Sequence, residues 1–204
     1  MKSKILILIS GFPGTGKTYL SNILLRKIEN LNYISPDILK EEIYDKYGFD
    51  NNEEKEKLIL KMWNQYFQIM ENKMKSEENI ISDYPFSIKQ YSNIKELTEK
   101  YDYNVITVRL LANIDVLFER QRKRDMDLDR HLGHLIESYH KGQKAEIRTE
   151  ENGLLLTYEE FFKRCTERGY DKFVIGKLFE LDVTVYNDLK YEKFINEIID
   201  YVKN

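Results

Sequence analysis

Residues 5–9, Ile-Leu-Ile-Leu-Ile, form an unbroken apolar run. A strand covered on one face alternates with polar residues and a strand covered on both faces does not, so this run predicts a strand inside a sheet. After a glycine-rich turn, Leu20, Ile23, Leu24 and Ile28 recur at helical spacing. Residues 31–35 read as a short second strand. Ser35-Pro36 then suits a helix start, with Ser35 as N-cap and Pro36 in the first turn. That helix continues through Ile38, Leu39, Ile43, Tyr44 and Tyr47 to Gly48. Residues 53–75 carry a long helical stripe, Leu58, Leu60, Met62, Trp63, Tyr66, Phe67, Ile69 and Met70, which reads as core packing and not as a ligand box. A third strand is predicted over 79–83, a helix over 88–101 and a fourth strand over 105–111, with Asn113 or Asp115 capping the next helix. Residues 118–140 are polar, arginine-rich and weakly periodic, and 141–153 read as a charged surface connection. A short helix over 158–166, stopped by Gly169, a last strand over 178–185 and a last helix over 190–202 complete the pattern.

Strands alternating with helices imply an α/β fold with a parallel sheet and right-handed crossovers, and ligands at the carboxyl ends of the strands. The length of 204 residues fits one domain over 1–204 with a subregion at about 118–142, which has few large apolar side chains and is expected to be more mobile than the sheet. Hydrophobic content of 42% fills a core and charged content of 33% makes a polar surface. A net charge of −3 gives no global pull toward nucleic acid and leaves a local basic patch open. The single Cys165 excludes an internal disulfide and a thiolate metal cluster. The apolar run at 5–9 is too short for a signal peptide or a membrane span, so no membrane partner is expected and a cytoplasmic location is the default.

The candidate chemistry begins at Gly11-Phe12-Pro13-Gly14-Thr15-Gly16-Lys17-Thr18, which fits the phosphate-binding pattern G-x-x-x-x-G-K-[ST] at every required position and lies between a predicted strand and a predicted helix. Glycines let the backbone turn its N–H groups onto a triphosphate, and the helix N-terminus adds its positive dipole end. Lys17 reaches the terminal phosphates and Thr18 offers a hydroxyl to Mg²⁺. Asp83, ending the third strand, is placed to hold Mg²⁺ opposite Thr18.

This loop resembles the P-loop of small phosphotransferases. The resemblance implies a three-layer P-loop kinase fold, with the five predicted strands in one parallel sheet flanked by helices. It also implies ATP and Mg²⁺ as cofactors. In such kinases an acid just after the second strand accepts the proton of the acceptor hydroxyl or holds it for in-line attack, and Asp37 stands there. The stretch Asp83-Tyr84-Pro85-Phe86-Ser87 resembles the Asp-Gly-Phe-Pro-Arg segment of nucleoside monophosphate kinases but lacks its arginine. Tyr84 and Phe86 are open to two readings, as lining of an acceptor pocket or as core. The segments 119–124 and 129–134 resemble a kinase lid, in which Arg120 and Arg124 share a helix face and Arg130 reaches across the turn to clamp the transferring phosphoryl group. His131, His134 and His140 lack the cysteines or acidic pattern that would complete a zinc site. Asn187 stands where kinases of this fold contact adenine, and a turn residue before the last helix explains it equally well. Ser-Pro-Asp after the second strand and the Arg-His-x-Gly-His string are similar to small ATP-binding kinases near the zeta-toxin, chloramphenicol phosphotransferase and polynucleotide kinase branches.

The combined reading is an ATP- and Mg²⁺-dependent phosphotransferase acting on a hydroxyl of a small molecule. The alternatives are a kinase for the 5′-hydroxyl of a nucleic-acid end, which needs a basic, aromatic-lined channel, and an ATP-hydrolysing switch, which needs a water-positioning residue and a partner surface.

Overall fold

The structure, a computed structural model, describes residues 4–145 and 147–203. The termini of the expected 1–204 domain and residue 146 of the expected connection lie outside the described residues. Five strands, β1 (Ile5–Gly11), β2 (Leu31–Ile34), β3 (Asn79–Asp83), β4 (Asn104–Leu111) and β5 (Lys177–Asp182), form one sheet in the order β2-β3-β1-β4-β5. All four pairings are parallel. The apolar run of β1 lies at the centre, buried along its whole length. Because successive side chains of a strand point to opposite faces, Ile5, Ile7 and Ile9 enter one core and Leu6 and Leu8 the other.

Helices α1 (Lys17–Lys27) and α7 (Asp188–Lys203) cover the first face, through Leu20, Leu24, Phe194, Ile195 and Ile198. Helices α2 (Pro36–Tyr47), α3 (Asn52–Lys75) and α4 (Ile88–Lys100) cover the second, through Leu39, Ile43, Met62, Tyr66, Met70 and Ile94. The result is the three-layer α/β sandwich expected of a P-loop kinase fold. Helices α5 (Ile114–Met126) and α6 (Tyr158–Glu167) build a smaller cluster in which Leu117, Phe161 and Cys165 pack beside Phe12 of the glycine loop.

Local chemistry explains the helix ends. Ser35 Oγ accepts from the Ile38 N–H at 3.4 Å, Pro36 occupies the first turn, and Gly48 closes α2 with φ 64°. Asn113, not Asp115, caps α5, accepting from the Asp115 N–H at 2.8 Å. Two expectations change. Leu60 leaves the α3 stripe and is 64% exposed, because the buried face is carried by Met62, Tyr66, Met70 and Met74. The last strand ends at Asp182 and not at 185. Its neighbour β4 ends at Leu111, so the last cross-strand bond is Val183 N–H to Leu111 O at 2.7 Å, and Asp182 Oδ1 then turns the chain by accepting from Thr184 N–H.

The second half of the arginine-rich segment is anchored to α2 and to Phe49 just after it. Leu132 and Tyr139 are buried with Tyr44 and Phe49, and the backbones of Phe49 and Tyr139 exchange two hydrogen bonds of 2.8 and 2.7 Å. His131 bonds Asp45 at 3.0 Å, His134 bonds Glu41 at 2.7 Å and His140 bonds Asp50 at 2.7 Å. A Cβ at Gly133 would lie 2.7 Å from the Tyr44 ring, so glycine permits the close approach. Among the described residues no helix is long and apolar enough to cross a membrane.

Candidate active site

The carboxyl edge of the sheet gathers the candidate residues. The glycine loop leaves β1 at Gly11 (φ 130°), where a Cβ would be 2.3 Å from the Leu110 carbonyl. Thr15 Oγ1 donates to the Phe12 carbonyl at 2.9 Å and braces the loop across Pro13 and Gly14. Gly14 has φ 84° and faces α5, its missing Cβ 3.0 Å from the Leu117 carbonyl. Gly16, at φ 83°, caps the start of α1, and a Cβ there would meet nothing within 4 Å, so the space beside the helix N-terminus is open. Lys17 is buried and curls back, donating to the carbonyls of Gly11 at 3.2 Å and Phe12 at 2.8 Å. Burial first, and the nearby Arg124 guanidinium second, pull its ammonium down to about 8, against the opposing pull of Asp83 and Asp37. A buried cation held only by carbonyls lacks a strong counter-charge, which a triphosphate supplies.

Thr18 and Asp83 meet. Thr18 Oγ1 donates to Asp83 Oδ2 at 2.6 Å, and register explains it: Asp83 pairs with Ile9 on β1, one strand over from the start of the loop. The Tyr33 hydroxyl, from the end of β2, donates to Asp83 Oδ1. Burial, followed by the Asp83 charge, pushes the Tyr33 phenol well above its ordinary range, so it remains a donor. A threonine hydroxyl and an acidic oxygen beside a phosphate loop are the hard-oxygen donors that Mg²⁺ prefers, so the residues fit that ion.

Asp37, in the first turn of α2, faces this edge with its carboxylate partly exposed. Lys40 Nζ lies 3.0 Å from Asp37 Oδ1 and 3.4 Å from the Tyr84 hydroxyl. Burial opposes the charge of Asp37, but Lys40, and behind it His134 and Arg130, outweigh burial and hold the carboxyl well below the usual carboxylate range. Lys40 is pushed up in return: burial opposes its charge, and Asp37 prevails. Burial likewise lowers His134 to about 4, so it is a neutral partner of Glu41 at pH 7.

The three lid arginines separate. Arg120 donates to the carbonyls of Val183 and Thr184, both at 3.0 Å, and fastens α5 to the loop after β5. The expected shared clamp of Arg120 and Arg124 is therefore corrected: Arg120 is committed to main chain, and Arg124 and Arg130 face the cleft. Arg124 acts electrostatically on Lys17 and feels Asp37. Burial, then Arg130, lowers the Arg124 guanidinium, against the opposing pulls of Asp125 and Asp37. Phe86 takes the packing alternative. It is 0% exposed and stacks on Phe173 with ring centroids 5.1 Å apart, so it does not line the cleft. Tyr84 stays at the edge, against Trp63 and Lys40. Asn187 is exposed, and its side chain accepts from the Lys190 N–H at 2.9 Å, the geometry of an N-cap for α7.

Known proteins resemble this chain in family and in fold. A family profile described as "AAA domain" matches residues 6–147, more than half of the sequence. The chain belongs to this AAA domain family. No curated protein matches it by sequence. Among solved structures, a proposed kinase from Chloroflexus aurantiacus j-10-fl is 18% identical, with 100% of this chain and 98% of that one covered at a TM-score of 0.72. A gluconokinase from Sinorhizobium meliloti 1021 is 13% identical, with 100% and 98% covered and a TM-score of 0.57. A shikimate kinase from Bacteroides thetaiotaomicron is 17% identical, with 98% and 99% covered and a TM-score of 0.54. At these identities the likeness is one of fold, and the fold is that of P-loop kinases.

Sequence reasoning missed three residues at this edge and one that supports them. Lys40 was legible in principle, three residues after Asp37 on a helix. Tyr33 gave no signal beyond its place at the end of a strand. Asp125 is buried beneath the arginines: Gln121 Nε2 donates to its Oδ2 at 2.6 Å, while Oδ1 lies 3.6 Å from Arg130 Nε and 3.8 Å from Arg124 Nε. Arg148 ties the end of α5 to the following turn by donating to the carbonyls of Asp125, Asp127, Leu128 and Arg130.

Proposed function

We propose that the chain is an ATP- and Mg²⁺-dependent phosphotransferase that moves the γ-phosphoryl group to a hydroxyl of a small molecule. The observation that supports this reading most is that Asp37, held ionised, lies within electrostatic reach of Lys17, which Asp83 and Arg124 also influence, and of Arg130. Bound Mg²⁺ would neutralise phosphate charge beside Thr18 and Asp83. Lys17 exchanges its bonds to the loop carbonyls for terminal phosphate oxygens. Asp37 orients the acceptor hydroxyl and takes its proton as the new O–P bond forms and the bond to the departing diphosphate breaks. Its low proton affinity makes positioning its main contribution, with the proton leaving late in the step. Arg124 and Arg130 offset charge on the transferring oxygens. The exposed Val185, Tyr186 and Leu189, with Tyr19 beside Tyr186, give an apolar rim near the loop that suits a base. The names of two structural neighbours, gluconokinase and shikimate kinase, favour a small acceptor over a nucleic-acid end.

The test is ATP-dependent phosphorylation across a panel of sugars, sugar acids, nucleosides and a 5′-hydroxyl oligonucleotide. Lys17→Ala should remove nearly all transfer without unfolding the chain. Asp37→Asn should keep affinity for a non-hydrolysable ATP analogue and lower transfer by roughly 10²–10⁴. Transfer confined to the oligonucleotide would replace the small acceptor by a polynucleotide. ATP hydrolysis that no acceptor accelerates would replace the kinase by a hydrolytic switch.

A further inference from the structure

The cleft carries more positive charge than a triphosphate engages. Lys17, Arg124 and Arg130 lie toward the phosphate loop. Beyond Asp37 stand three more cations, each from a different helix. Lys40 of α2 is 8% exposed, and Asp37 and the Tyr84 ring, 5.0 Å away, satisfy it. Lys55 of α3 lies 5.2 Å over the Phe49 ring and donates to the Ile136 carbonyl at 2.7 Å, with no carboxylate in contact among the described residues. Arg164 of α6 is half-buried and has neither a hydrogen bond nor an ion pair among the described residues.

Packing brings α6 to the cleft. Phe161 and Cys165, on either side of Arg164, are buried against Leu117 and Phe12, so Arg164 projects from the margin of the phosphate loop. Tyr170, which follows α6, packs its ring 5.9 Å from Phe12 and shares the neighbourhood of Tyr84 and Arg164. The electrostatics link the set. Burial, then Lys40 and Arg164, bring the Lys55 ammonium down to about 8, and the opposing pulls of Glu137 and Glu56 are weaker. Burial, then Arg168, lowers Arg164, and Arg164 in turn acts on Arg124. The nearby carboxylates are otherwise engaged. Asp37 holds Lys40 and Glu41 holds His134, while Asp125 holds Gln121 and lies 3.6 and 3.8 Å from Arg130 and Arg124. Glu160, one turn before Arg164, feels its charge but caps α6 by accepting from the Thr157 N–H and hydroxyl. Partly desolvated cations that crowd one another with no carboxylate in contact are stabilised by an anion from outside.

We propose that Lys55 and Arg164 form an anion-binding subsite on the acceptor side of the cleft, and that the phosphoryl acceptor carries a carboxylate or phosphate group besides the hydroxyl that faces Asp37. The proposal rests on the phosphotransferase reading and narrows its substrate class. Arg164 lies beyond residue 147, outside the segment that matches the family profile.

The test is thermal unfolding of the full chain saturated with Mg²⁺ and a non-hydrolysable ATP analogue, titrated with glycerate, glycerol 3-phosphate and glycerol. At least one of the two anions should raise the melting temperature at millimolar concentration while glycerol does not, and the anion that does so separates the carboxylate source from the phosphate source. Arg164→Gln and Lys55→Gln should each weaken the anion midpoint by roughly tenfold or more, the scale of a lost charge-assisted hydrogen bond, and leave the affinity for the analogue unchanged. Arg164→Lys, which keeps the charge, should retain part of the response. The subsite is overturned if neither anion shifts the transition, if the shift survives in both glutamine variants, or if those variants weaken the analogue instead. Analogue binding, measured first, separates the two readings: a chain that binds the analogue and no anion loses the subsite alone.

Discussion

At the scale of single residues, Lys17 gives the sharpest proton signature. Burial, then Arg124, holds its ammonium at about 8, so near pH 8 about half of the chains have lost that proton. A bound triphosphate restores the counter-charge and raises the value. Nucleotide binding near pH 8 should therefore take up a fraction of a proton, falling toward zero near pH 6. Calorimetric titration in two buffers of different ionisation enthalpy measures it, and proton release in place of uptake would remove Lys17 from the phosphates. The same shift acts on stability. The folded form binds fewer protons than the unfolded chain between about 8 and the ordinary lysine value, so Lys17 weakens folding at neutral pH and the penalty is relieved as pH rises through that window.

At the scale of elements, the lid is two parts with different restraints. Residues 131–140 are fastened to α2 by Leu132, Tyr139 and the histidine–carboxylate pairs, while Arg124 and Arg130 have only long contacts, of 3.6 to 3.8 Å, with Asp125 and Glu41. Hydrogen exchange should show 131–140 protected to a degree near that of α2 without nucleotide, and an ATP analogue should add protection chiefly at 124–130. Complete exchange at 131–140 in the empty chain would contradict the anchored arrangement. Asp125 sets the arginine pair. Asp125→Asn keeps the shape but removes the charge that Arg124 and Arg130 share, so kcat should fall by roughly 10–10² through misplacement while KM for ATP stays within about twofold. A variant that melts earlier yet turns over normally would reduce Asp125 to a structural role.

At the scale of the whole molecule, the two cores on opposite faces of the sheet hold the cleft from below without touching ligand. Ile198 of α7 is fully buried against the odd-numbered face of β1. Ile198→Ala should lower unfolding stability by about 2–5 kcal/mol, measured by urea denaturation, and leave analogue affinity of the folded chain intact. A loss of affinity in chains that remain folded would mean that α7 packing also shapes the nucleotide site.

Most of the fold and the phosphate loop were legible in the sequence because each rests on neighbours in the chain. The apolar run of β1 needs only its own residues to show that both faces are covered. Gly11, Gly14, Gly16, Lys17 and Thr18 carry their geometry in adjacent backbone angles, and Ser35-Pro36 writes its own cap. Side chains whose partners lie far away in sequence were not legible. Arg120 and Arg124 share a spacing, yet one is held by carbonyls at 183–184 and the other faces Lys17. Phe86 reads equally as pocket or core until Phe173 arrives to cover it. Leu132 and Tyr139 are too sparse to show a period, and they anchor the lid only because Tyr44 and Phe49 come to meet them. The sequence determined the strand–loop–helix order and the phosphate chemistry, because helical and strand periods and turn angles are properties of short segments. Only the tertiary structure decided which charges pair and which stay open, because pairing depends on distances between elements that no local pattern contains.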